Sequence, residues 1–239
     1  PFLPLTLHVS RFTQMDKETY VHNIFSSIAK RYDLLNSLLS LRRDRSWRRF
    51  TASISGVTLT SQVLDVCTGT GELALTYADV IGDGAAVIGT DFCFEMLAVG
   101  KEKVERQGRA HAFIPIEADT LRLPFADGTF DVVSVGFGIR NVADVELGIR
   151  EMTRVATQGG RVVILEFTQP DAPLFRQLYY FYFKKVLPCI GNLISKNKDD
   201  AYGYLPKSVM QFPNCEQLKA LMEACGLEEV QFYRKTFGI

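Results

Sequence analysis

"VLDVCTGTGELA", Val63 to Ala74, is the stretch that decides the fold. Its first half extends a short apolar run, "QVLDVC" (62–67), that reads as a strand. Gly69 and Gly71 read as a sharp turn, and "GELALTYADVI" (71–81) as the helix that follows. Glycine lacks Cβ, so the backbone can turn tightly there and come close to a ligand. The helix then aims its unpaired amides at whatever the turn holds. Such a turn suits an adenosine cofactor, and both hydride carriers and methyl carriers use one.

Outward from the turn, strand and helix alternate. "AAVIGTDF" (85–92) is a strand, 94–108 a helix ended by Gly108, and "AHAFIPIEAD" (110–119) a third strand. "TFDVVSVGFG" (129–138) is a fourth strand, 145–157 a helix stopped by Gly159 and Gly160, and "RVVILEF" (161–167) a fifth strand. Strands separated by helical segments imply right-handed crossovers and a parallel sheet covered on both faces. Ligands of such sheets sit at the carboxyl ends of the strands. Upstream, Tyr20, Ile24, Ile28 and Tyr32 recur at a spacing of four, the mark of a helix, and a basic cluster with Trp47 follows. The segment 173–212 breaks the rhythm and reads as an inserted helix pair. A helix over 214–226, N-capped by Asn214, precedes "LEEVQFYRKTFGI", which reads as the start of a final strand pair. Neither repeats nor a linker mark a second domain.

Composition narrows the function. The chain has 239 residues, with 27 basic residues balancing 27 acidic ones, so overall charge makes no case for a nucleic-acid partner. The five cysteines, Cys67, Cys93, Cys189, Cys215 and Cys225, form no CxxC pair and stand at no zinc-ligand spacing to the scattered His8, His22 and His111. They read as reduced thiols of a cytoplasmic protein, and no metal site is expected. No apolar run is long enough to cross a membrane.

Asp91, about 20 residues after the turn, ends the second strand, where a carboxylate accepts both hydroxyls of a ribose. To this point NAD and S-adenosylmethionine (SAM) fit equally well. Three details separate them. Ala74 stands where a dinucleotide fingerprint wants its third glycine, a tolerated variant. Asp65, within the first strand, would repel a pyrophosphate but can pair with the amino group of a methionine. Asp119 ends the third strand, where it can bond an adenine amino group, and "LPFADGTFDVV" follows it. Any one of these acids alone would more often be a solvated loop carboxylate. Together, Asp65, Gly69, Gly71, Asp91, Asp119 and the "LPF…FDVV" run resemble the class I SAM-dependent methyltransferases.

A closer resemblance rests on "YDLLNSLLSLRRDRSW", "LDVCTGTGELA", "GFGIRNVAD", "GGRVVILEF" and "YGYLPKSVMQFP". These are similar to the signature segments of the ubiquinone/menaquinone biosynthesis C-methyltransferases, over roughly residues 20–239. The resemblance implies a Rossmann-like α/β fold with a mostly parallel seven-stranded sheet and helices on both faces. One domain is expected: an N-terminal helical lid (16–55), a SAM-binding core (60–170), a helical substrate cover (171–212) and a C-terminal helix with strands (213–239). The implied SAM contacts fall on Thr70, Asp91, Asp119, Thr120 and Gly136. The sequence departs from the family at Thr120, commonly Asn or Ala, at Arg42, usually Gly, and at Asp44, often His. The family also usually continues a few residues past "TFGI".

The implied reaction moves a methyl group from SAM to a ring carbon of a prenylated quinol, first demethylmenaquinol to menaquinol, with the ubiquinone precursor beside it. A quinol ring carbon is nucleophilic as its neighbouring hydroxyl loses a proton, so the protein must position it, exclude water and help that proton. The candidates are Arg140 and Asn141 in the loop after the fourth strand, and Tyr32 and Asp33 in the lid. Arginine stays charged, so Arg140 would stabilise a phenolate or orient water rather than act as a base. The plainer readings are a structural salt bridge for Arg140 and a core-facing residue for Tyr32. "LYYFYF" with Lys184 and Lys185 suits a cover over a lipid tail that touches a membrane surface, or a buried helix pair. A homodimer is the remaining partnership expected. Two other functions stay open: methylation of a different lipid, such as a sterol or phospholipid, and a non-catalytic subunit that keeps the fold.

Overall fold

The computed structural model describes residues 14–40, 42–82, 86–168 and 201–236. The expected cover "LYYFYF" with Lys184 and Lys185 lies outside the described residues.

Three helices lead, α1 (Gln14–Ile28), α2 (Tyr32–Leu39) and α3 (Arg43–Ile54), with a 3-10 turn at Ala29–Arg31. Then come β1 (Val63–Val66), α4 (Glu72–Ile81), β2 (Val87–Asp91), α5 (Phe94–Arg106), β3 (Phe113–Glu117), β4 (Phe130–Gly136), α6 (Val145–Val155) and β5 (Ala156–Leu165). Helices α7 (Ala201–Gln211) and α8 (Cys215–Ala224) close the described chain. The strands form one parallel sheet in the order β3-β2-β1-β4-β5. The order reverses direction at β1, so β1 and β4 flank the crevice where a ligand belongs.

Side-chain alternation builds two cores on this sheet. Val63, Val87 and Val132 face one side and pack with Leu73, Tyr77 and Ile81 of α4. Leu64, Val66, Val133 and Val135 face the other and pack with Ile149, Met152 and Val155 of α6 and with α8. Burial on both faces explains why these strands read as continuous apolar runs. Helix α8 starts with a capping box: the Asn214 side chain accepts from the Gln217 amide, and the Gln217 side chain accepts from the Asn214 amide.

The structure revises four of these expectations. The leading helical stretch is broken in three, and at the break before α3 Arg42 adopts φ 62°, the left-handed region that favours glycine. Gly159 and Gly160 do not stop a helix; they lie within β5, which starts directly after α6. Among the described residues the sheet has five strands rather than seven. Residues 227–236, expected to open a strand pair, form no strand and lie instead along a groove of about 980 Å³ beside β5. Contacts to α3 hold them there: Trp47 donates its indole N–H to Thr236, and Phe50 packs edge-on against Tyr233.

Candidate active site

The glycine turn is built as its residue types demand. Gly69 and Gly71 sit at φ 58° and 79°, and α4 begins directly after. Cys67 at the end of β1 also has positive φ, at 50°, and it leaves no room across the turn. A Cβ on Gly138 would stand 2.3 Å from the Cβ of Cys67, so the loop after β4 can close on the turn only with glycine at 138.

Between this turn, the ends of β2 and β3 and the loop after β4 lies a cavity of about 240 Å³. Gly69, Asp91, Asp119 and Thr120 line one part of it, and Tyr32 and Asn141 another. The fold therefore brings six of the twelve residues expected from sequence to one place. Asp91 is buried, and its two oxygens accept the backbone N–H groups of Gly69 (2.8 Å) and Cys93 (2.9 Å). Burial pushes its carboxyl up to about 6 against the pull of those bonds. Thr120 is fixed by a hydrogen bond between its hydroxyl and the Cys67 thiol. Asp119 accepts the N–H of Leu121, two residues past the end of β3. The ring of Tyr32 lies 3.8 Å from where a Cβ on Gly69 would stand, so it covers the turn from the α2 side. Burial raises its phenol, although Asn36 bonds it and the charges of Arg140 and Arg48 lower it.

Six expected residues stand elsewhere. Asp65 does not face the cavity. It accepts the hydroxyls of Thr68 (2.6 Å) and Ser134 (3.1 Å), and burial pushes it up to about 7. Both oxygens accept bonds inside the sheet, which braces the turn. Thr70 and Asp33 bond each other, and Lys103 joins Asp33 (2.9 Å) to Glu72 (2.6 Å). This cluster ties α2 to the start of α4 and to α5, beside the cavity rather than in it. Gly71 and Gly136 are backbone positions behind the lining: a Cβ on Gly136 would stand 3.0 Å from Leu73. Arg140 is buried in a structural ion pair with Glu166, donates to the Phe137 carbonyl (2.6 Å) and Ser208 (3.3 Å), and stacks over Phe167. Burial raises Glu166 despite the arginine beside it.

Sequence reasoning missed several lining residues. Phe92, next to Asp91, and Phe137 and Gly138, inside "GFGIRNVAD", share their segments with residues that it did name. Phe25 and Glu18 of α1 arrive from far away, without a local signal. Tyr204 of α7 stands behind the cavity and donates its phenol to Asn141 Oδ1 (3.0 Å). Burial pushes that phenol up to about 12.

The residues present fit SAM. Asp91 keeps lone pairs on its oxygens, the turn leaves no Cβ in the way, and Asp119 and Phe92 line the same cavity, a set of groups suited to an adenosine. The likeness to known proteins agrees. The chain is similar to a SAM-dependent methyltransferase from Thermotoga maritima, with TM-score 0.61 and 18% identity over 87% of this chain and 81% of that one. It is 41% identical to a demethylmenaquinone methyltransferase of Shouchella clausii, over 93% of this chain and 94% of that one. It is 45% identical to a ubiquinone/menaquinone biosynthesis C-methyltransferase of Geotalea daltonii, over 95% of this chain and 96% of that one. Residues 13–239 match the ubiE/COQ5 methyltransferase family. The chain is a SAM-dependent methyltransferase and belongs to the ubiE/COQ5 methyltransferase family.

Proposed function

We propose that this enzyme methylates a ring carbon of a prenylated quinol, demethylmenaquinol first and the benzoquinol precursor of ubiquinone beside it. One observation carries the reading. A single cavity joins a ribose-type carboxylate, Asp91, to an aromatic and amide lining, Tyr32 and Asn141, with no charged group needed to hold a quinol. Bound SAM supplies an electrophilic methyl on a sulfonium. Asp91 would hold the cofactor's ribose, Asp119 and Thr120 its base, and the Gly69 turn would let it lie close to the backbone. Lid, core and C-terminal helix act as one domain, with α1 to α3 as the lid.

Tyr32 and Asn141 orient the quinol hydroxyl next to the reacting carbon. Both phenols near the site, Tyr32 and Tyr204, are raised and stay protonated, so they serve as hydrogen-bond donors rather than bases. The ring carbon gains the methyl and gives up a proton, which leaves to water. Arg140 acts as a positioning residue. It fixes the loop carrying Asn141 through the Phe137 carbonyl, and its charge lowers both phenols. The test supplies SAM with reduced demethylmenaquinone, the ubiquinone precursor, or a sterol. Turnover of a quinol, cut by Asn141→Ala mainly in kcat, supports the reading. SAM binding without turnover of either quinol overturns it and leaves the fold assignment intact.

A prenyl tail lives in a lipid layer, and α2 presents a face suited to one. Leu34 and Leu38, one turn apart, are 64% and 44% exposed. Lys30, Arg31, Arg42, Arg43, Arg45 and Arg49 are exposed around them. The two acids in this stretch are engaged, Asp33 by Lys103 and Asp44 by Arg48. We infer that this face rests on an anionic membrane surface while the quinol enters. No described helix is long and apolar enough to cross a membrane.

A further inference from the structure

Outside the cavity, three side chains that are far apart in sequence meet beside Asp91. His22 comes from α1, Cys93 stands at the N-cap of α5 and Glu95 lies in that helix's first turn. His22 Nε2 is 3.8 Å from Glu95 Oε2, and Cys93 Sγ is 3.4 Å from the same oxygen. All three donor atoms lie within 4.8 Å of one another. A tetrahedral zinc ion, with bonds of about 2.3 Å to sulfur and about 2.0–2.1 Å to nitrogen and oxygen, sets S···O near ~3.5 Å and N···O near ~3.3 Å. The Cys93–Glu95 edge already has that length. The His22–Glu95 edge must close by about half an ångström to meet the same geometry. Both of those side chains are partly exposed and able to turn.

We propose that His22, Cys93 and Glu95 form a binding site for a thiophilic divalent cation of the zinc type, with water as the fourth ligand. Imidazole, thiolate and carboxylate are together a zinc donor set, and three protein ligands leave one position open. The carboxylates of Asp91 and Glu95 place negative charge beside the sulfur. On binding, the S–H bond breaks, the sulfur–metal bond forms and the proton passes to solvent. His22 gives its neutral Nε2 lone pair. The ion would pin α1 to α5. It would also press on the cofactor end of β2, because the Cys93 N–H donates to Asp91.

The sequence hid this site because 71 positions separate His22 from Cys93, with no motif spacing. Cobalt(II) added to the metal-free full chain, without SAM, tests the site apart from the cofactor assignment. The expected result is a single cobalt per chain with a thiolate-to-cobalt charge-transfer band, displaced by zinc. The band should vanish in Cys93→Ser, and affinity should fall roughly tenfold or more in His22→Ala, whose partly exposed side chain leaves the fold intact. Absence of the band, or a band that persists in Cys93→Ser, overturns the proposal, as does unchanged affinity in His22→Ala.

Discussion

Asp65 and Asp91 lie on neighbouring strands, and in sequence each is an acid near the glycine turn, expected to meet a different part of the same ligand. Their partners separate them. Asp91 is held by backbone N–H groups that leave it open to the cavity, whereas Asp65 is closed off by Thr68 and by Ser134 on β4. Ser134 is 69 positions away, so the direction of Asp65 could not be read locally. Arg140 is a parallel case, its direction set by Glu166, 26 positions on. Both aspartates are raised from 3.8, to about 7 and about 6. The folded state thus binds their protons more tightly than the unfolded chain does. The stability that they add is full below about 3.8 and is lost as pH rises through those folded values. Asp65→Asn is expected to stabilise the SAM-free protein at neutral pH by on the order of 1–2 kcal/mol, read by urea unfolding. SAM affinity should change less than about threefold; a loss beyond about tenfold would mean that Asp65 pairs with the ligand directly. Asp91 gives the opposite signature. Ribose hydroxyls need its ionised form, so SAM affinity should fall about tenfold per pH unit below about 6. Calorimetric titration across mildly acid pH checks this, and Asp91→Asn should remove the slope.

Among the elements, the βαβ rhythm was readable because buried parallel strands are short apolar runs between amphipathic helices. The breaks were harder. Arg42 takes a left-handed conformation that the sequence announces only where glycine stands. The lid's attachment was equally hidden, since Lys103 of α5 gathers Asp33 of α2 and Glu72 of α4 across long separations. Both acids are about a third exposed, so solvent screening holds each bond to about 0.5–1 kcal/mol. Lys103→Met is therefore expected to speed SAM release by roughly two- to fivefold with little change in unfolding midpoint. Stopped-flow dissociation reads the rate. An unchanged rate would mean that this cluster does not hold the lid.

For the molecule as a whole, the sheet, the glycine turn and the crevice followed from pattern, while the outer edge did not. Residues 227–236 alternate like a strand, yet a strand needs a ladder partner, and here contacts to Trp47 and Phe50 hold the segment beside β5 instead. The exposed leucines of α2, between basic residues on either side of it in the chain, had no sequence signal either, because only the fold shows that Leu34 and Leu38 point outward. Leu34→Ser with Leu38→Ser is expected to lower co-sedimentation with anionic vesicles several-fold and to leave SAM binding unchanged. Equal binding to neutral vesicles would remove the electrostatic part of that account. The most direct measurement is the fate of the methyl carbon itself. SAM labelled with carbon-13 in its methyl group would be turned over with demethylmenaquinol, and the product read by NMR. The label is expected on a ring carbon of the naphthoquinol. Label on a quinol oxygen, or none on the quinol while SAM still binds, would contradict the account.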